Sequence, residues 1–203
     1  MSDNQDAATS KRGFFDLLVA LCTILGGMAM SQTSKARQIT LLGILIALQT
    51  VLNSMFSLHF VLTKISFSFI ATAIMASLFP PFITAFSTAL SDLLGIFLVP
   101  TATFSPGFTL TAFLVGLVFG YTFYQKTPRL WQILLATLTV TMGLYLGLNS
   151  LWLHLMYQTP WLPLLSGRFI QELITFPVYT IVLSVLFNVK IVRETLQKYA
   201  GSH

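Results

Sequence analysis

The chain has 203 residues, of which 55% are hydrophobic and only 8% are charged. Soluble globular domains carry roughly 25% charged residues, so the composition excludes an ordinary soluble protein and indicates an integral membrane protein. The formal net charge of +5 reflects an unequal distribution of Lys and Arg across the membrane, described below, and does not indicate nucleic-acid binding.

The first 36 residues are predicted to form a cytoplasmic tail with a short amphipathic helix. Lys11 and Arg12 precede an apolar stretch, as in a signal peptide, but Asp16 interrupts that stretch early. Apolar residues recur there at helical spacing, which favours a helix lying in the membrane interface. An additional transmembrane span is the alternative for this segment.

Six apolar segments follow, and each is about long enough to cross a bilayer as a helix. They are residues 38–57, 61–79, 82–99, 108–125, 131–153 and 167–190. Pro80 and Pro81 separate the second segment from the third, and Pro128 lies between the fourth and the fifth. The predicted fold is therefore all-α. It has a six-helix transmembrane domain at residues 37–193 and a cytoplasmic tail at residues 194–203.

Basic residues set the predicted orientation, because cytoplasmic segments of membrane proteins accumulate Lys and Arg. With six spans and a cytoplasmic N-terminus, both termini are cytoplasmic and nine of the eleven basic residues lie on that side. These nine are Lys11, Arg12, Lys35, Arg37, Lys126, Arg129, Lys190, Arg193 and Lys198. The two exceptions, Lys64 and Arg168, fall at the outer ends of the second and sixth spans.

Charged residues within the spans point to a ligand site in the outer half of the bundle. Asp92 and Glu172 are the only carboxylates in the six spans, and helical rise places them roughly 10 Å and 6–8 Å below the outer ends. Lys64 and Arg168 belong to the same level, and charges in a membrane usually pair or mark a ligand pathway. The alternatives are structural pairs, Arg168 with Glu172 and Lys64 with Asp92, or a Lys64 that reaches the outer interface.

Aromatic residues at the same outer level offer flat surfaces for a ligand with rings. Phe104 and Phe108 flank Ser105-Pro106-Gly107, a sequence typical of a tight loop that can act as a lid. Trp161 lies in the loop before the sixth span. The alternative for such residues is an interfacial aromatic belt.

Several kinds of chemistry are absent from the sequence. No Gly-rich loop ending in Lys-Ser/Thr is present, so the chain is not expected to hydrolyse ATP. His59, His154 and His203 show no metal-ligand spacing and have no Cys partner. We therefore expect no metal, no cofactor and no enzymatic activity, although an intramembrane enzyme is a distant alternative.

Small residues at helical spacing predict close helix packing in two spans. Gly43 and Ala47 lie four residues apart in the first span, and Gly116 and Gly120 lie four apart in the fourth. Packing within the bundle is the default expectation for both. The alternative is a docking face for another membrane subunit.

The sequence resembles the S components of energy-coupling factor (ECF) vitamin transporters, most closely the folate-specific members. The resemblance extends from about Arg37 to Arg193. Its most specific parts are DLLG at residues 92–95 and FSPGFTLTAFLVGLVFG at residues 104–120. It implies a six-helix protein of the bacterial cell membrane that captures a vitamin on the outer side with high affinity.

The resemblance also implies partners, namely a transmembrane coupling protein and two ABC-type ATPases that drive release of the vitamin inward. S components typically dock through an Ala-xxx-Ala pattern on the first helix. Gly43 to Ala47 is the corresponding stretch, with Gly in place of the first Ala.

Folate suits the charged residues chemically. Its glutamate tail carries two carboxylates, which Lys64 and Arg168 can bind, and its pterin carries an amino group and a ring N–H that Asp92 or Glu172 can accept. Phe104, Phe108 and Trp161 are the candidates to stack on its rings. The alternatives are an S component for thiamine, riboflavin or a related vitamin, and a self-sufficient secondary transporter.

Overall fold

A computed structural model describes residues 35–54, 57–60, 63–98, 106–126, 128–158 and 160–188. The predicted interfacial helix before residue 35 and the predicted tail at residues 194–203 lie outside these residues. Across the described residues, the chain forms helices and one short hairpin. Its elements are α1 (Lys35–Ser54), β1 (Ser57–Phe60), β2 (Thr63–Ser66), α2 (Ser68–Leu78), α3 (Pro81–Leu98), α4 (Pro106–Phe123), α5 (Leu130–Leu138), the π-helix π1 (Thr139–Leu148), α6 (Asn149–Tyr157) and α7 (Trp161–Asn188).

The predicted helical membrane bundle is confirmed, but the six predicted spans are not all long helices. Within the described residues, three continuous apolar helices are long enough to cross a membrane: Pro106–Phe123, Leu130–Tyr157 and Leu164–Asn188. Three shorter apolar helices are Gln38–Asn53, Ser68–Leu78 and Pro81–Phe97.

The second predicted span, residues 61–79, is wrong as a single helix. Its first part is β2, which pairs antiparallel with β1 and places Lys64 opposite His59. Only the 11 residues of α2 are helical, and these reach roughly half of a 30 Å hydrocarbon core. β2 alternates in sequence as Thr63-Lys64-Ile65-Ser66, and β-branched residues in such an alternation favour a strand over a helix.

The short helix α2 is the centre of the bundle. It contacts α1, α3, α4 and α7, and every residue from Phe69 to Ser77 is buried. Phe69 stacks on Tyr179 of α7 with ring centroids 3.8 Å apart. A helix that is apolar on all sides is expected only where it is surrounded, so the sequence of α2 fits its central position.

Helices α3 and α4 pack antiparallel at close range through the glycines of α4. A side chain at Gly116 would overlap Thr88 Oγ1 and Ala85, and one at Gly120 would overlap Pro81. Thr88 Oγ1 also donates a hydrogen bond to the backbone oxygen of Ala112, 3.0 Å away. The small-residue pattern of the fourth predicted span therefore serves packing inside the bundle, as the default interpretation proposed.

At one end of the bundle, here called the hairpin end, the ends of several helices meet the two strands. α1 leads into the hairpin there, and Thr50 of α1 hydrogen bonds to Ser91 near the end of α3 at 3.0 Å. β2 contacts α7. The indole of Trp152 in α6 donates to Thr111 Oγ1 of α4 at 3.2 Å. The hairpin end thus holds the ends of α1, α3 and α6 and the beginnings of α4 and α7.

Candidate functional site

The structure describes the side chains of some of the predicted site residues. Most of these come together at the hairpin end. Asp92 lies near the end of α3, Phe108 at the start of α4, and Arg168 and Glu172 in the first half of α7. The backbone of Lys64 belongs to β2, but its side chain lies outside the described part of the structure. Phe104 also lies outside the described residues.

Asp92 connects two helices. It is half-buried, and its Oδ2 accepts a hydrogen bond from Thr109 Oγ1 at 3.0 Å. Thr109 lies in the first turn of α4, so the bond joins the end of α3 to the start of α4. A polar contact between helices therefore forms part of the environment of Asp92.

Arg168 extends from α7 towards π1. Its Nη1 donates to the backbone oxygen of Tyr145 at 3.5 Å, and the guanidinium is half-buried. Glu172, one helical turn further along α7, lies within electrostatic range of it. The two side chains therefore share one face of the helix, as the spacing of four residues predicts.

Glu172 is the most deeply buried charged residue of the cluster. Only 3% of its surface is exposed, and its Oε2 receives no hydrogen bond from Arg168 or from any other described residue. An ionised carboxylate in apolar surroundings is strongly destabilised unless it is paired and hydrogen-bonded. The structure therefore leaves an acceptor at this position that a ligand donor can satisfy.

Tyr145 is a member of the cluster that the sequence did not reveal. Its hydroxyl lies within electrostatic range of both Glu172 and Asp92, and its backbone oxygen accepts from Arg168. The residue lies inside π1, and π-helical segments frequently occur at functional sites. A polar aromatic residue within an apolar span was the only available signal, and it does not specify depth or direction.

The predicted aromatic residues are placed differently from one another. Phe108 is half-buried at the start of α4. Trp161 is 43% exposed and packs on His154 across the α6–α7 junction, with ring centroids 4.3 Å apart. Trp152 packs on Gly107, where any side chain would overlap its indole. The Pro106-Gly107 sequence therefore makes room for a tryptophan at the hairpin end.

Three further buried polar atoms have no hydrogen-bond partner among the described residues. They are Gln49 Oε1, Asn149 Oδ1 and Ser150 Oγ. They belong to α1 and α6, which both end at the hairpin end, and none was predicted as a site residue. Across the residues that were searched, no group of three His, Cys, Asp or Glu side chains is arranged to hold a metal ion.

The predicted docking residues lie on an open helix face. Gly43 and Ala47 are both exposed on α1, and a side chain added at Gly43 would meet nothing within 4 Å. The other small-residue pair, Gly116 and Gly120, is buried between helices. The two motifs therefore differ, because one is used inside the bundle and the other is available from outside.

Residues 37–187 match the family described as the substrate-specific component of ECF transporters. The chain belongs to this family. Its match covers all the predicted site residues and both docking residues. The family resemblance derived from the sequence is thereby confirmed.

Named relatives of this substrate-specific component are folate transporters. The folate transporter FolT of Clostridium novyi (strain NT) is 30% identical over 149 residues, 73% of this chain and 87% of that protein. The folate transporter FolT of Leuconostoc mesenteroides is 29% identical over 168 residues, 80% of this chain and 90% of that protein.

A crystal structure of FolT bound with folic acid is also similar to this substrate-specific component. The TM-score is 0.71 at 38% sequence identity, and the match covers 75% of this chain and 93% of the other.

Proposed function

We propose that this chain is a high-affinity folate-binding subunit that captures the vitamin at the hairpin end. The observation that carries the proposal is the cluster of Asp92, Arg168 and Glu172 at one end of a bundle that resembles FolT bound with folic acid. Placing one buried and two half-buried charged residues together is costly for a protein in a membrane, and such clusters usually belong to a ligand pathway. A charged, hydrogen-bonding vitamin supplies a reason for that cost.

The remaining predicted residues complete the proposed site. Lys64 and Arg168 provide the positive charge that an anionic vitamin requires. Asp92 or Glu172 is the proposed acceptor for the donors of the pterin. Phe104, Phe108 and Trp161 are proposed to contact the rings. Trp161 can do so with its exposed part, since its packing on His154 leaves 43% of its surface accessible.

Six membrane crossings with both termini in the cytoplasm remain the proposed topology, with the hairpin end outside. The 4 residues of β2 and the 11 of α2 reach roughly 30 Å when their lengths are added, about the thickness of the hydrocarbon core. Extended backbone at membrane depth is tolerated where it is covered by protein or lines a cavity, and the contact of β2 with α7 supplies such cover.

Transport is proposed to require a membrane coupling protein and two ATPase subunits, because no nucleotide-binding loop is present in this sequence. The exposed Gly43 and Ala47 are the proposed docking residues on α1. Small residues allow two helix backbones to approach closely in a membrane. The open space above Gly43 supports this assignment.

Isothermal titration of the purified protein tests the proposed substrate. Folic acid is expected to bind tightly, whereas thiamine, riboflavin and biotin are expected to give no heat. Tight binding of another vitamin with none of folic acid would refute the substrate and leave family membership intact. Uptake by the chain alone in proteoliposomes, driven by an ion gradient, would favour a secondary transporter instead.

A further inference from the structure

Glu172 and Asp92 differ in how their carboxylates are satisfied before any ligand binds. Asp92 is half-buried and accepts a hydrogen bond from Thr109 at 3.0 Å. Glu172 is 3% exposed, and its Oε2 has no partner among the described residues. Because an unsatisfied buried carboxylate is far less stable than a hydrogen-bonded one, Glu172 has much more to gain from a ligand donor.

Charge separates Glu172 from the other unpartnered atoms of the bundle. Gln49, Asn149 and Ser150 each have a buried polar atom without a partner, but all three side chains are neutral. Leaving a neutral amide or hydroxyl unsatisfied costs far less than leaving an ionised group unsatisfied. Glu172 is therefore the strongest candidate acceptor in this part of the structure.

The spacing of Arg168 and Glu172 limits what they can bind together. They lie one turn apart on α7, about 6 Å along the helix axis, and within electrostatic range of each other. Folate is elongated, and its p-aminobenzoyl group separates the pterin from the glutamate tail. Two side chains this close together cannot readily hold opposite ends of that molecule, so they are expected to contact the same end.

The pterin has an edge that matches this pair of side chains. Ring N3–H and the exocyclic 2-amino group are adjacent donors, and the neighbouring O4 and N5 atoms are acceptors. A carboxylate accepts two parallel N–H groups, and a guanidinium donates two in a matching fork. The two ionised carboxylates of the glutamate tail offer only acceptors, so they suit Arg168 but would repel Glu172.

We infer that Arg168 and Glu172 together recognise the pterin edge of folate, Glu172 accepting from N3–H and the 2-amino group and Arg168 donating to O4 and N5. This inference rests on the proposed function. The backbone oxygen of Tyr145, 3.5 Å from Arg168 Nη1, holds the guanidinium beside Glu172. Asp92 acts mainly as the link between α3 and α4.

A comparison of two ligands tests this assignment. Folic acid and pteroic acid share the pterin and the p-aminobenzoyl group, but pteroic acid lacks the glutamate tail. Glu172→Gln and Arg168→Ala are each expected to weaken binding of both ligands by the same factor, at least about tenfold, since each removes a charged hydrogen bond to the shared end. Thr180→Val is the control, because it removes a hydroxyl contact of α7 with Thr137 and is expected to leave both affinities unchanged.

A folate analogue without the 2-amino group provides an independent measurement. The wild-type protein is expected to bind this analogue at least about tenfold more weakly than folic acid. Glu172→Gln is expected to reduce the affinity for the analogue by a much smaller factor than the affinity for folic acid, because the bond between Glu172 and the 2-amino group is already missing. Glu172→Asp keeps the charge and serves if Glu172→Gln does not fold, as judged by thermal unfolding without ligand. Glu172→Asp is expected to reduce the affinities for folic acid and pteroic acid by the same factor.

The outcomes distinguish this inference from the proposed function. Wild-type affinity of Glu172→Gln for folic acid would overturn the role of Glu172. An Arg168→Ala variant that loses affinity for folic acid but not for pteroic acid would place Arg168 at the glutamate tail and overturn the pairing. Failure of the wild-type protein to bind folic acid would instead refute the proposed function, and this assignment with it.

Discussion

Arg168 on α7 and Tyr145 in π1 are joined by a hydrogen bond from Nη1 to the backbone oxygen, 3.5 Å long. The bond connects the fifth and sixth predicted spans at the level of the candidate site. It is long for an N–H···O bond, so it orients the guanidinium without satisfying it fully. The other N–H groups of Arg168 are the ones proposed to bind the ligand.

Arg168→Lys is expected to weaken folic acid binding by at least about tenfold, although it keeps the positive charge. Lysine cannot present two parallel N–H groups to one partner, and each hydrogen bond with a charged group contributes about 1.5–3 kcal/mol. Isothermal titration measures the loss. The unfolding temperature without ligand is the control measurement and should change little. Full retention of affinity by Arg168→Lys would show that a positive charge alone is sufficient for binding.

Thr109→Val is expected to destabilise the ligand-free protein by about 1.5–3 kcal/mol, because the carboxylate of Asp92 loses a hydrogen bond. Valine has nearly the shape of threonine, so packing between α3 and α4 is preserved. Thermal unfolding in detergent measures the effect. Thr109→Ser keeps the hydroxyl and should unfold close to the wild-type temperature; equal destabilisation by both variants would assign the effect to packing instead of the bond to Asp92.

The sequence correctly predicted a helical membrane bundle, and it correctly predicted that Arg168 and Glu172 share one face of a helix. Long apolar runs ended by prolines predict membrane helices with few alternatives, and positions 168 and 172 necessarily share a helix face. The prediction of one helix over residues 61–79 was wrong, because a short apolar strand followed by a short apolar helix has the same hydropathy as one long apolar helix. Hydropathy alone does not separate the two cases.

Tyr145 illustrates a different limit. Predictions of helix faces assume about 100° per residue, whereas π1 forms i→i+5 hydrogen bonds over ten residues, Thr139–Leu148. Each wide turn changes the direction of the following side chains. The orientation of Tyr145 towards the carboxylates, and of the residues of α6 beyond it, therefore could not be read from sequence spacing.

Gly116→Ala is expected to destabilise the bundle by about 1–3 kcal/mol, because the new methyl group would overlap Thr88 Oγ1 and approach the backbone of Ala85 to 2.8 Å. Gly43→Ala is the matched control within a helix. No atom lies within 4 Å of its added methyl group, so helix propensity favours the alanine by up to about 1 kcal/mol. In thermal unfolding, Gly116→Ala should lower the unfolding temperature and Gly43→Ala should raise it. An unchanged unfolding temperature for Gly116→Ala would contradict the close packing.

Lys64→Ala is expected to weaken folic acid binding while leaving pteroic acid binding nearly unchanged. If Arg168 contacts the pterin, Lys64 is the other basic residue predicted at this end of the bundle, and a charged contact with the glutamate tail contributes about 1.5–3 kcal/mol. β2 contacts α7, which brings the strand close to the helix that carries Arg168. Titration with both acids measures the difference, and equal losses for the two ligands would argue against a role at the tail.

Gly43→Leu is expected to impair assembly with the coupling protein while sparing folate binding. The leucine side chain would project into the open space beside α1 and prevent close approach of a partner helix, whereas the charged cluster involves α3, π1 and α7 and not α1. Gly143→Leu is the control, because it adds the same bulk at another exposed glycine, whose nearest neighbouring atom is 4.0 Å away. Co-purification of each variant with the coupling protein and the ATPases measures assembly. Normal co-purification of Gly43→Leu would place the docking face elsewhere, since a leucine cannot fit where two backbones meet at a glycine.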